Sequence, residues 1–167
     1  NKLTSIAGVK PKNYMTRDEA EAYANARGAG WHIMTMAAES ANQMLELVEF
    51  GTLNGKAALG KGVTLVTSTG DYNCSAITGA TTTLGNESGA APLTYIEINS
   101  NVMQYSIEGK NSISYRGMEN PWGNTWNMIG NVIIAGDGIS NGGIPYICKN
   151  HNYTYNTVSN DYESAGF

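Results

Sequence analysis

Residues 114–127 read Ser114-Tyr115-Arg116-Gly117-Met118-Glu119-Asn120-Pro121-Trp122-Gly123-Asn124-Thr125-Trp126-Asn127, and few folds can accommodate that run. Asn120-Pro121 and Gly123-Asn124 are turn dipeptides, so the backbone must reverse twice within a few residues. Tyr115, Trp122 and Trp126 carry large rings with polar tips, which are expected to be drawn by those turns into one tight cluster around an Arg116/Glu119 pair. Glu119 has a second role open to it, the capping of backbone amides. Both roles describe a stiff structural knot rather than a reactive centre.

The rest of the chain supports a single domain over residues 1–167. A chain of this length buries roughly two thirds of its unfolded surface without help from metal or disulfide. Hydrophobic residues make up 41% and charged residues only 14%, so solubility rests on Asn, Ser, Thr, Tyr and Gly. The net charge is -4, from ten basic and fourteen acidic residues. No Lys/Arg cluster is present to neutralise a run of phosphates, so nucleic acid is not an expected partner. No apolar stretch approaches the roughly 20 residues of a membrane span, and Asn1-Lys2-Leu3-Thr4 lacks the pattern of a signal peptide. Asn1 in place of Met points to a processed chain or a fragment. Cys74 and Cys148 are read as two unpaired or buried thiols, and His32 and His151 stand far from any zinc-like spacing. No metal or other cofactor is expected.

Local patterns predict an α+β fold. Thr16-Arg17-Asp18-Glu19 has the form of a capping box, Ala20, Ala22, Tyr23, Ala24 and Ala26 continue the helix, and Gly28 ends it. Thr35 caps a second helix in which Ala37, Ala41, Met44, Leu45 and Val48 form the inward face, Glu39, Asn42, Gln43 and Glu46 face away, and Gly51 closes the element. His32 and the methionines are read as core or cap packing. Beyond residue 60 the predicted strands are 63–66, 95–98, 112–115, 132–134 and 146–148, rich in β-branched and aromatic residues. Residues 67–91 and 135–143 have little periodicity and are predicted to be long ordered loops.

Over residues 115–126 the chain resembles the C-type-lectin-like superfamily. It resembles in particular the branch shared by formylglycine-generating-enzyme-like domains and by phage tail tip and retroelement-diversified proteins, which carry a Y-R-G-x-E-N-x-x-G-N-x-W pattern. Weaker likenesses lie at Arg17-Asp18-Glu19-Ala20, at Gly30-Trp31-His32 with the helix that follows, and at Leu84-Gly85-Asn86-Glu87-Ser88-Gly89, similar to an L-G-N-x-S-G loop of the phage members. The resemblance covers roughly residues 10–150. It implies two helices packed on a small twisted mixed or antiparallel sheet, long ordered loops that present the ligand site, and Tyr115, Arg116, Glu119, Asn120, Trp122, Asn124 and Trp126 as a structural motif. Diversified members continue into a Trp/Arg/Gly-rich variable region, whereas this chain stops at Phe167, so its C-terminus is expected to be incomplete or replaced.

No catalytic residues are assigned. Cys148 has no nearby cysteine to support formylglycine-type chemistry, and no nucleophile elbow, phosphate-binding loop or His-containing triad occurs. The calcium-binding triplet of sugar-binding relatives is replaced by Glu119-Asn120-Pro121, and Trp126-Asn127-Met128 lacks the acidic third ligand, so obligatory calcium is not expected. Asn152, Tyr153, Tyr155, Asn156 and Tyr162 in the polar tail form the candidate ligand-binding surface, because Tyr and Asn make the rigid and adaptable contacts of paratopes. A polar terminal strand or frayed end is the other reading of that tail. The expected function is non-enzymatic receptor binding or adhesion, in a virion tail or at a cell surface, with a host protein or glycan as partner. The alternative is a structural virion or appendage subunit. Either role is compatible with homo-oligomers and with contacts to other fibre subunits.

Overall fold

A computed structural model describes residues 2–65, 74–136, 138, 142–150 and 157–166. Among these residues the chain is α+β, with three α-helices and three separate three-stranded antiparallel sheets. It divides into two compact units. One comprises residues 1–3, 14–44 and 127–167, and the other residues 4–13 and 45–126. The second helix contributes residues to both.

In the first unit, α1 (Arg17–Asn25) starts where the capping box predicts. The Thr16 amide donates to Glu19 Oε2 at 2.8 Å, and the Glu19 amide donates to the Thr16 hydroxyl at 3.2 Å. Thr16→Ala removes one half of that reciprocal pair and should lower stability by about 1 kcal/mol in urea denaturation. Ala20, Glu21 and Ala24 line the buried stripe of α1. Glu21 is only 5% exposed, and its carboxylate is held by the Ile33 amide at 3.0 Å and by His32 Nδ1 at 2.5 Å. Arg17 donates to the Val132 carbonyl, tying α1 to the sheet of this unit.

That sheet has the order β7-β8-β9, formed by β7 (Val132–Gly136), β8 (Gly143–Cys148) and β9 (Tyr162–Ser164). Ile133, Cys148 and Tyr162 form its buried cluster, with Tyr146 and Val158 packed against it. Buried Asn131 links three segments, because Oδ1 accepts from the Met36 amide at 2.7 Å, Nδ2 donates to the Cys148 carbonyl at 3.5 Å, and the Asn131 carbonyl accepts from the Cys148 amide. The sheet takes in the ends of residues 135–143, which had been predicted to be loop throughout.

Helix α2 (Met36–Phe50) forms as predicted, with the Thr35 hydroxyl accepting from the Ala38 amide and Gly51 at φ +62° closing it. Its predicted inward face is reversed. Met44 is 61% exposed and Val48 83%, while Glu39, Asn42, Glu46 and Phe50 are the more sheltered positions. The helix is held at its C-terminal end through Glu49 and Phe50, described below, and those long-range partners outweigh the apolar stripe in choosing the face.

The second unit contains α3 (Gly55–Leu59), capped by the Asn54 side chain, and two sheets. The first sheet has the order β1-β3-β4, built from β1 (Cys74–Ala76), β3 (Thr94–Ile98) and β4 (Asn101–Tyr105). The second has the order β2-β5-β6, built from β2 (Gly89–Ala90), β5 (Ile113–Tyr115) and β6 (Met118–Glu119). Within residues 67–91, predicted to be loop, lie β1, β2 and a 3-10 turn over Thr82–Leu84. Residues 63–65, predicted to open a strand, are irregular, and Val66 lies outside the described residues. The core of this unit is small and unusually polar: Leu59, Ala76, Ala91, Ile96, Ile113 and Tyr115 are buried together with Thr94, Ser112 and Ser114.

Candidate functional site

The geometry of residues 113–126 follows from the chain's need to reverse twice. Arg116 and Gly117, at φ +49° and +84°, are the two central residues of the turn joining β5 to β6. Positive φ at both positions gives the type I′ turn that matches strand twist. A Cβ on Gly117 would stand 2.9 Å from Asn86 Oδ1, the end of an exposed side chain that can move aside, so it is the positive φ that favours glycine here. Arg116 carries the strain of a left-handed backbone and is held there by two contacts. Its amide donates to Ser88 Oγ at 3.1 Å and its Nε to Glu49 Oε2 at 2.8 Å.

The expected Arg116/Glu119 pair is not formed. Arg116 turns to Glu49, while Glu119 caps backbone amides: Oε1 accepts from the Gly79 amide and Oε2 from the Thr81 amide and hydroxyl, each at 2.9 Å. The cause is the turn itself, which spends Arg116 at its tip and sets Glu119 back on β6, opposite Ser114. Both carboxylate oxygens of Glu119 are thus engaged by donors of residues 79–81.

The expected ring cluster is also absent. Tyr115 is buried against Phe50, with ring centroids 6.1 Å apart at 59°. Trp122 instead packs on Gly55 and Gly62 and donates from Nε1 to the Gly60 carbonyl at 3.2 Å. Trp126 is fully exposed. Two glycines, Gly117 and Gly123, and two asparagines, all at positive φ, explain the separation, because they let the backbone fold back on its neighbours instead of on its own rings. Asn120, at φ +52°, donates its amide to the Ile113 carbonyl at 2.7 Å. Asn124, at φ +61°, donates its amide to the Val63 carbonyl at 2.8 Å and accepts from the Ala76 amide through Oδ1 at 2.7 Å. The segment is therefore a strap that fixes residues 60–63, 76–81 and 86–88 from one continuous stretch of chain.

Beside the strap lies an open groove of about 790 Å³ lined by Glu49, Phe50, Asn86, Glu87, Ser88 and Arg116. All six belong to the second unit. The Glu49 carboxylate is shared between the Arg116 guanidinium and the Tyr115 phenol, which donates to Oε2 at 3.1 Å. Asn86 and Glu87 sit exposed on the loop ahead of β2, so they can exchange water for ligand hydrogen bonds at little cost in desolvation. Sequence reasoning placed Arg116 in the scaffold and did not single out Glu49, Asn86, Glu87 and Ser88, which line the groove with it. Their signal was the Leu84-Gly85-Asn86-Glu87-Ser88-Gly89 loop, whose relation to Arg116 depends on strand pairing.

Burial, followed by the hydrogen bond and negative charge of Glu49, pushes the Tyr115 phenol above its ordinary value near 10. A group whose folded pKa is raised contributes stability that is fully present below the unfolded pKa and is lost as pH rises through the folded one. Stability should therefore fall once pH passes about 10, and Tyr115→Phe should flatten that alkaline loss. Urea midpoints measured on both proteins across the alkaline range check this.

Of the predicted ligand-binding tail, Asn152, Tyr153, Tyr155 and Asn156 lie outside the described residues. Tyr162 is placed on β9, 6% exposed, as a member of the buried cluster with Ile133 and Cys148. Its ring is a core element of the first unit. Cys148 is buried with its thiol donating to the Asn150 carbonyl at 2.9 Å, and Cys74 is half-buried on β1. Among the described residues no three His, Cys, Asp or Glu side chains gather to hold a metal ion, and no helix is long and apolar enough to cross a membrane. Compared with protein-family models, with curated proteins and with solved structures, the chain matches none of them.

Proposed function

We propose that the chain is a non-enzymatic ligand-binding domain of C-type-lectin-like type. Its role is that of a receptor-binding or adhesion module, in a phage tail fibre or tail tip or at a cell surface, that engages a host protein or glycan. The observation that carries this reading is the division of labour around the strap. Glu119, Asn120, Trp122 and Asn124 spend their hydrogen bonds on neighbouring backbone. The adjacent loop leaves Asn86 and Glu87 exposed at the groove. A rigid frame that presents polar loop side chains is the usual architecture of recognition. The carboxylates nearest the groove fit a binding role better than a catalytic one, since Glu49 is already shared between Tyr115 and Arg116.

A second reading, a structural subunit of a virion or appendage, is favoured by the exposed apolar residues Leu45, Val48 and Leu53 of the second unit, which are the kind of surface that assembly covers. Screening the chain against host-envelope preparations and a glycan panel separates the two. Saturable binding by the chain supports recognition. Self-assembly with no binding to either panel contradicts it and favours the subunit.

A further inference from the structure

The outer edge of β4 points to a second copy of this chain as its partner, and we propose that two copies pair antiparallel through Asn101–Tyr105 about a two-fold axis at Met103. This inference is independent of the groove and of the ligand reading. Among the described residues β4 is the last strand of its sheet, with β3 on one side and no strand on the other. Residues 101–104 are exposed, including Val102 at 57% and Met103 at 51%. Edge strands are normally blunted by a charge, a proline or a bulge. Asn101-Val102-Met103-Gln104-Tyr105 has no charge and no proline, and its pairing with β3 runs unbroken over five residues.

The register shows which groups face outward. Asn99 and Ser100, both at positive φ, form the two-residue turn between β3 and β4, so the flanking pair Ile98 and Asn101 exchanges hydrogen bonds. Alternation then makes Ile96 with Met103 and Thr94 with Tyr105 the other hydrogen-bonded pairs. The Tyr95 carbonyl bears this out, because it accepts from the Ile77 amide at 2.8 Å and so faces away from β4. The N–H and C=O groups of Val102 and Gln104 consequently point out of the sheet. A two-fold axis at Met103 is the register that overlaps all five residues, and it sets Val102 opposite Gln104 of the second copy at both ends. Those are the residues whose backbone groups have no strand beside them among the described residues, and together they make four hydrogen bonds.

Charge selects an identical copy over a charged peptide. The strand is neutral, and Glu97 on neighbouring β3 is matched by Lys10 at 2.8 Å. Two such edges meet without like charges opposed, although each chain carries a net charge of -4. A five-residue strand pair buries less than the roughly 1,000 Å² of a stable interface, so the dimer is weak and concentration-dependent.

Sedimentation of the 167-residue chain from micromolar to millimolar concentration should show a monomer-to-dimer shift. Gln104→Pro removes an outward N–H while sparing the β3 ladder, and should abolish the shift with an unchanged far-UV spectrum. Met103→Cys gives a control that does not depend on tolerance of proline. On the axis the two Cα atoms stand about 4.5 Å apart, within disulfide reach, whereas Val102→Cys places its pair on the diagonal at roughly 7–8 Å. Under mild oxidation, with the parent chain as the background for Cys74 and Cys148, Met103→Cys should give cross-linked dimer on the order of tenfold faster than Val102→Cys. A parent chain that stays monomeric throughout, or equal cross-linking by the two cysteine variants, overturns the proposal.

Discussion

Glu119→Ala should lower the unfolding free energy of the second unit by about 3–5 kcal/mol, since it removes the acceptor for three donors at once. Two of those donors are the Gly79 and Thr81 amides, and Thr81 is only 5% exposed, so water replaces the lost oxygen poorly. The Thr81 hydroxyl loses its partner in the same step. Glu119→Gln keeps one acceptor oxygen and should lose roughly half as much. Equilibrium urea denaturation of the two variants, with slopes compared to confirm the same transition, reads both numbers. Equal and small losses would mean that residues 79–81 are held by something other than this carboxylate.

Ile113→Ala should cost a similar amount, about 3–4 kcal/mol, through a different mechanism. Ile113 is completely buried, its side chain lies close under Gly60 and Gly62, and its backbone pairs with both Ala90 and Asn120. The strand on either side of Ile113 is pinned, the Ser112 amide donating to Thr94 Oγ1 and the Gly117 amide to Ser114 Oγ, so the backbone cannot close the void and the cavity remains. Ile113→Val, which removes one methylene, should cost about 1 kcal/mol. The ratio of the two losses, measured in the same denaturation experiment, tests whether packing in so small a core is as close as its burial suggests.

How far the sequence could be read follows the range of the forces involved. The start of α1 was legible because Thr16 and Glu19 settle it within four residues. Helix α2 was legible as a helix, from Thr35 to Gly51, but its face was not. That choice depends on Glu49 meeting Tyr115 and Arg116 from 66 and 67 positions away. Strands β3, β5, β7 and β8 declared themselves through β-branched and aromatic residues. β4 did not, because a strand whose residues are mostly exposed carries no alternation of apolar and polar side chains. The strap was singled out as structural, and its internal geometry was misjudged. Proximity along the chain suggested Arg116 with Glu119 and ring with ring, whereas the type I′ turn and the left-handed asparagines direct each group to a different loop. Of the groove, only Arg116 and the 84–89 loop were visible beforehand, and nothing local relates the two.

The central claim is that recognition occurs at the groove beside the strap. Arg116→Asn is the direct test, since asparagine accepts the positive φ of that turn while the guanidinium is removed from the lining. The dissociation constant for whichever envelope component or glycan the chain captures should be measured for the parent chain, for Arg116→Asn, and for a Tyr153→Ala/Tyr155→Ala variant. Weakening of roughly tenfold or more in Arg116→Asn, with stability lowered by no more than the small contribution of an exposed ion pair to Glu49, is the predicted result. Unchanged affinity in Arg116→Asn, together with loss in the tyrosine variant, would contradict the groove and assign recognition to the tail.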